Sequence, residues 1–179
     1  MLDWLAQRRK RKRTAQNLYG SIVALSRRPE LYVVIGVPDT VEGRFEILVI
    51  HMFLLLDRLR REGEQCKPLA QELVDEFFSD MDTTSRQLGV GDFSVPKKMR
   101  RLATIFDQRL HAYRAAIEGT PRGRLLKLIA DNLELKNSDK GSSAERLANY
   151  MHQSVKRMDR QSVGEVIGGL ASGDVLALD

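Results

Sequence analysis

The residues best suited to chemistry in this 179-residue chain are carboxylates and cations, and they gather around one short segment, Phe77 to Met99. Asp80 and Asp82 lie at the end of an acidic stretch. Gly89 and Gly91 bracket a turn closed by Asp92, and Pro96 then opens a basic stretch of Lys97, Lys98, Arg100 and Arg101. Paired carboxylates perform acid–base work when a partner base or an apolar pocket drives their pKa values apart. No nucleophile, metal-ligand cluster or phosphate-binding loop accompanies these. An acid–turn–base corner of this kind suits recognition of a charged partner rather than catalysis.

The remaining candidates are isolated. Asp107 and His111 stand four apart, the spacing of a helical side-chain pair or of half a metal site, with no second half in view. His51 interrupts an apolar run, where a hydrogen-bonded core histidine is the expectation. The three histidines show no HxxxH or HxxE spacing, and the single cysteine, Cys66, excludes an intrachain disulfide and suits a reducing compartment. No cofactor, small-molecule substrate or sequence-specific DNA contact is expected.

Charge is concentrated at one end. Arg8, Arg9, Lys10, Arg11, Lys12 and Arg13 are consecutive; without these six, the 29 basic residues fall to 23 against 24 acidic ones. The body is near neutral and the formal charge of +5 belongs to the arm, residues 1–13. Trp4 and Leu5 precede the cations, the composition of an interfacial anchor on an anionic membrane surface. A solvated tail and a contact with ribosomal or other RNA are the other two readings. The arm lacks the apolar core of a secretory signal, and its length and Asp3 are unlike a transit peptide.

These groups need a frame, and the periodicity predicts an all-α one. Helices are expected over 14–28, 40–62, 67–88, 96–118, 124–135 and 142–158. The segment Phe45 to Leu56 is apolar apart from Glu46 and His51; it is too short for a membrane span and reads as the central buried helix. Leu69, Leu73, Phe77 and Met81 mark the core stripe of the helix behind the acidic face of Glu72, Asp75, Glu76, Asp80 and Asp82. Gly36, Pro38 and Gly43 turn residues 30–43 into an ordered apolar loop with a short helical turn. The body is taken as 14–160, followed by a weakly structured, glycine-rich tail, 161–179.

The segments Gly36–Phe45 (GVPDTVEGRF), Asp80–Asp82, Gly89–Asp92 and Val95–Lys98, in this order and spacing, resemble the ubiquinol–cytochrome c chaperone family, assembly factors of respiratory complex III. The likeness runs from about Leu18 to Tyr113 and more weakly through the rest; the chain departs from it at Glu46 and at Ser85, Arg86 and Gln87. The resemblance implies a compact helical fold without enzymatic activity. It implies a client, newly made or haem-free cytochrome b, and work near the ribosome at the cytoplasmic face of a bacterial inner membrane (the matrix side in a mitochondrion). It also implies a client surface at Asp39, Glu42, Arg44, Phe45, Asp80, Asp82, Arg86, Asp92, Lys97 and Lys98, with Gly36, Pro38, Gly89, Gly91 and Pro96 setting the turns.

Overall fold

The central apolar helix decides the arrangement of everything around it. A computed structural model describes residues 2–87, 94–119, 123–135, 140–172 and 176. Its helices, all α apart from one 3-10 turn at Glu64–Cys66, are α1 (Leu2–Ser26), α2 (Pro29–Val33), α3 (Val41–Glu62), α4 (Lys67–Gln87), α5 (Val95–Glu118), α6 (Gly123–Asn132), α7 (Lys140–Asp159) and α8 (Val163–Ser172). No strand occurs among the described residues. None of these helices is long and apolar enough to cross a membrane.

From Glu46 to Leu59, α3 is buried on nearly every face, and α1, α4, α5, α7 and α8 all pack against it. Thr40 starts it by accepting a hydrogen bond from the Gly43 N–H at 3.0 Å. Gly63, at φ 102°, ends it in a conformation that glycine adopts without steric cost. After Gly63 the 3-10 turn Glu64–Cys66 leads directly into α4. Phe77 of α4 stacks on Phe106 of α5 at 4.6 Å, closing an aromatic cluster that Tyr19 and Phe78 extend.

Two expectations are corrected. The arm is not a separate segment: nothing between Arg13 and Thr14 breaks the helix, so α1 runs from Leu2 to Ser26 without interruption. Nor is the tail weakly structured where it is described. Ser162 and Glu165 form a reciprocal capping box, with Ser162 N–H donating to Glu165 Oε2 at 2.7 Å and Glu165 N–H to Ser162 Oγ at 3.3 Å. The helix it starts, α8, buries Val166 and Leu170 against α1 and α3 despite its glycines. Leu176 beyond it is buried too, its carbonyl accepting from Arg28.

The polar groups that α3 carries inward are all answered. Glu46 accepts from Tyr113 at 2.6 Å and from Asn132 and Arg109 at 3.1 Å. Asp57 pairs with Arg60, Arg61 and Arg114, each at 3.1 Å. Arg58 donates to the Met158 and Gln161 carbonyls and to Glu62. His51 donates from Nδ1 to the Ile47 carbonyl and accepts at Nε2 from Tyr150, both at 2.8 Å. These two bonds fix one neutral tautomer.

Burial pushes the His51 pKa from 6.5 down to about 4, and the Arg28 charge adds to the effect. Between those values the unfolded chain takes up a proton that the native state refuses. Stability therefore falls as pH drops from about 6.5 to about 4, by roughly 3 kcal/mol, and this contribution is flat above and below that window. Urea midpoints measured across pH 4–8 should show this slope, and His51→Gln should reduce it.

Candidate functional site

The loop from Gly36 to Gly43 is built by close approach. Gly36 has φ +87°, and a Cβ there would sit 2.5 Å from Ser143 Oγ of α7. A Cβ on Gly43 would lie 2.1 Å from the Pro38 carbonyl oxygen, a backbone atom that cannot swing away. The loop therefore lies tight against α7, and Arg146 reinforces it by donating to the Val34 carbonyl. Leu31, Ile35 and Val37 are buried, Tyr32, Pro38 and Phe45 half-buried. Val33, Val34 and Val41 remain outside, with Val33 and Val41 about 80% exposed (81% and 78%). Phe45, the apolar residue that the resemblance placed on the client surface, is only half-buried, and Val33 and Val34 are the residues of the expected apolar loop that lie most in the open. Val41, which the sequence did not single out, joins them.

Ionic groups edge this patch. Arg44 donates to Asp39 at 2.6 Å, and its guanidinium lies 5.7 Å from the centre of the Tyr32 ring. The bond from Arg44 holds the Asp39 carboxyl below its usual range. Glu42 is exposed beside them.

The acidic face of α4 is not the open surface its composition suggested. Arg11 pairs with Glu72 at 3.6 Å, Gln16 donates to Glu76 at 3.1 Å, and the nearly buried Tyr19 donates to Asp80 at 2.7 Å. Burial, with the Asp80 carboxylate, raises the Tyr19 pKa far above its ordinary value, so Tyr19 stays the donor. Asp80 is therefore engaged inside the fold. Asp82 is half-buried and pairs along the helix with Arg86 at 2.7 Å. Pro96, Lys97 and Lys98 are exposed in the first turn of α5. Gly89, Gly91 and Asp92 lie outside the described residues.

The pairs Arg11–Glu72 and Tyr19–Asp80 run in the same direction along both helices, so α1 is parallel to α4. This places the end of α1, the α2–α3 loop and the end of α4 at one end of the bundle, with the start of α5. The structure thus gathers Asp39, Glu42, Arg44, Phe45, Asp82, Arg86, Lys97 and Lys98 at that end. The arm is at the other end, about 30 Å away at 1.5 Å per helical residue. Trp4, Leu5, Arg8, Arg9, Lys10, Lys12 and Arg13 are exposed there, and Arg11 is half-buried.

No group of three or more His, Cys, Asp or Glu among the described residues is placed to hold a metal ion. His111 pairs with Asp107 at 3.4 Å on an exposed face. Cys66 is buried. A shallow cavity of about 410 Å³ lies between the end of α5 and α7, lined by Glu118, Asn149, His152 and Lys156 among others. It carries none of the residues expected to meet a partner.

A family model described as ubiquinol-cytochrome C chaperone matches residues 34–171, which take in the loop, the corner and every helix from α3 to α8. The chain belongs to the ubiquinol-cytochrome c chaperone family. Among its relatives is ubiquinol-cytochrome-c reductase complex assembly factor 1 of Xenopus laevis, 24% identical over 73% of this chain and 64% of that one. The Homo sapiens protein of the same description is 25% identical over 92% of this chain and 54% of its own length. The chain thus spans roughly half to two thirds of these curated relatives. The crystal structure of the Cbp3 homolog from Brucella abortus is 34% identical and superposes with a TM-score of 0.78 over 94% of each chain. The all-α architecture expected from the sequence is the family's fold, and the matched region leaves all of α1 and α2 outside.

Two substitutions separate fold-building from surface residues at this end. Gly43→Ala forces a methyl into the Pro38 carbonyl and should cost about 2–3 kcal/mol, read as a lower urea midpoint with unchanged slope. Tyr19→Phe leaves the half-buried Asp80 without its donor and should cost about 1.5–3 kcal/mol, whereas Asp82→Asn should stay within about 0.5 kcal/mol.

Proposed function

We propose that this protein is an assembly chaperone of ubiquinol–cytochrome c reductase that holds newly made, haem-free cytochrome b until it is built into the complex. The observation that carries this reading is the family match over residues 34–171, together with relatives described as assembly factors of that complex. The end of the bundle opposite the arm supports it chemically. Cytochrome b is a membrane protein of several spans, and its first helices must wait for partners. A client binder for such a chain needs exposed apolar groups to meet a span and charges of both signs to meet its flanks. Val33, Val34 and Val41 are exposed at the α2–α3 loop. Asp39, Glu42, Arg44, Asp82, Arg86, Lys97 and Lys98 supply the charges, with Phe45 half-buried among them.

In this reading no catalysis is involved and no cofactor is required. Asp80 supports the surface from within through Tyr19. The protein works peripherally at the cytoplasmic face of the membrane, or at the equivalent matrix face, beside the ribosome that delivers the client. A second reading, RNA binding led by the arm, rests on the exposed cations Arg8, Arg9, Lys10, Lys12 and Arg13. The near-neutral body argues against RNA as the main partner.

Lys97 and Lys98 are exposed, so the double variant Lys97→Glu/Lys98→Glu should keep the wild-type melting temperature. Its pull-down from membranes should recover several-fold less cytochrome b, and cells carrying it should contain less assembled reductase. Normal recovery and normal reductase in a folded double variant would remove the start of α5 from the client surface.

A further inference from the structure

Helix α5 is charged against its own dipole at both ends, and only one end is compensated inside the molecule. Aligned peptide dipoles favour acids in the first turn of a helix and cations in the last. The central helix α3 follows this rule, with Glu42 in its first turn and Arg60 and Arg61 in its last. Helix α5 has no acidic residue in its first turn and no basic residue in its last. At its end, Glu118 is met by Arg60 of α3 at 2.9 Å. Near its beginning, Lys97, Lys98, Arg100 and Arg101 are all exposed, and none of these four side chains makes an ion pair or hydrogen bond among the described residues. They repel one another and the positive end of the dipole. Arginines on neighbouring surfaces, such as Arg44, Arg86 and Arg114, each hold a carboxylate of this chain.

The four cations are held in place by the fold. Val95 and Phe106 are buried on one side of α5 and pin these turns to the body. At 100° per residue, Lys97, Arg100 and Arg101 then share about 100° of arc on the opposite side, with Lys98 at its edge. Thr104 and Gln108 continue that side, exposed and uncharged. The first carboxylate along α5, Asp107, is already paired with His111. A guanidinium presents a planar fork of N–H donors that fits the two oxygens of a carboxylate. Two such forks and two ammonium groups, spread over about 6 Å of helix rise, match a short run of Asp and Glu. A longer polyanion or a lipid surface reaching past them would meet Asp39, Glu42 and Asp82 at the same end of the bundle.

We propose that the outer side of the first turns of α5 docks a short acidic segment of the client polypeptide, with Arg100 and Arg101 each taking a carboxylate and Lys97 and Lys98 strengthening the field. This rests on the client reading above; the acidic character of the segment, and the part played by Arg100 and Arg101, lie beyond it.

The test titrates the full chain into a fluorescein-labelled peptide with four consecutive glutamates, and into its glutamine counterpart, and follows anisotropy. The glutamate peptide should bind and the glutamine peptide should not, with affinity falling as salt rises. Arg100→Gln/Arg101→Gln should weaken binding by about ten-fold. Arg100→Lys/Arg101→Lys should weaken it by about three-fold, because lysine keeps the charge without the fork. Both α5 variants should melt no lower than wild type, since the cations they alter hold nothing within the fold. Arg9→Gln/Arg13→Gln, which removes two cations from the arm, should leave binding nearly unchanged. A loss as large from the arm pair as from the α5 pair would overturn the assignment to α5. Tighter binding of single-stranded RNA than of the glutamate peptide, lost with the same α5 pair, would overturn it in favour of phosphate. Excess unlabelled glutamate peptide should displace cytochrome b captured by the immobilised protein. Retention of cytochrome b under saturating peptide would overturn docking of the client on α5 and leave the client reading standing. A wild-type chain that captures no cytochrome b would sink that reading, and this proposal with it.

Discussion

The fold depends on one constraint: α3 is buried on nearly all sides yet carries Glu46, His51, Asp57 and Arg58 into the interior. An unpaired charge or polar group there would cost several kcal/mol, so each must find a partner on a surrounding helix. Glu46 draws in α5 and α6 through Arg109, Tyr113 and Asn132. His51 takes Tyr150 of α7, Asp57 takes Arg114 of α5, and Arg58 takes the turn after α7. Apolar packing alone would tolerate slippage or rotation of these helices about α3. The directional bonds do not, because moving any one helix strands a buried group. The single helix that the rest encloses thereby fixes the position of each.

Helices α3 to α7 were legible in the sequence to within a few residues, because their apolar stripes and bounding glycines and prolines agree. The part that was not legible failed for identifiable reasons. Helix α8 is hidden by Gly164, Gly168 and Gly169, which lower helix propensity, although the Ser162–Glu165 spacing of a capping box was there to be read. The continuity of α1 was obscured by its charge: a run of six cations reads as a solvated tail until Glu72 appears opposite Arg11. At the candidate site the residue types were legible and their partners were not. Tyr19 and Asp80 are 61 positions apart, and neither shows in its own segment that it is committed to the other.

The same distinction bears on what the family motif means. In the stretch from Gly36 to Phe45 the glycines and Thr40 are required by geometry: a left-handed backbone, two close approaches and a helix cap. A relative sharing those residues shares the loop, whatever it binds. In the proposed function, recognition of a client falls on side chains that the fold does not need. At this end of the bundle those are Val33, Val34, Val41, Glu42, Lys97 and Lys98, all exposed, and the Asp39–Arg44 ion pair, which is too exposed to add much stability.

Helices α1 and α4 then link two surfaces that have no reason to be near each other. Among the described residues they make the most extensive helix–helix contact, and Arg11–Glu72, Gln16–Glu76 and Tyr19–Asp80 space polar bonds evenly along it. A contact stitched at three levels is stiff in both bending and sliding. An arm joined to the body by a flexible linker would localise the protein without orienting it. An arm that is the first half of a core helix transmits its own angle to the far end. The separation of the apolar loop from the basic arm is thus a property of the fold, and it stays the same whatever partner either end engages.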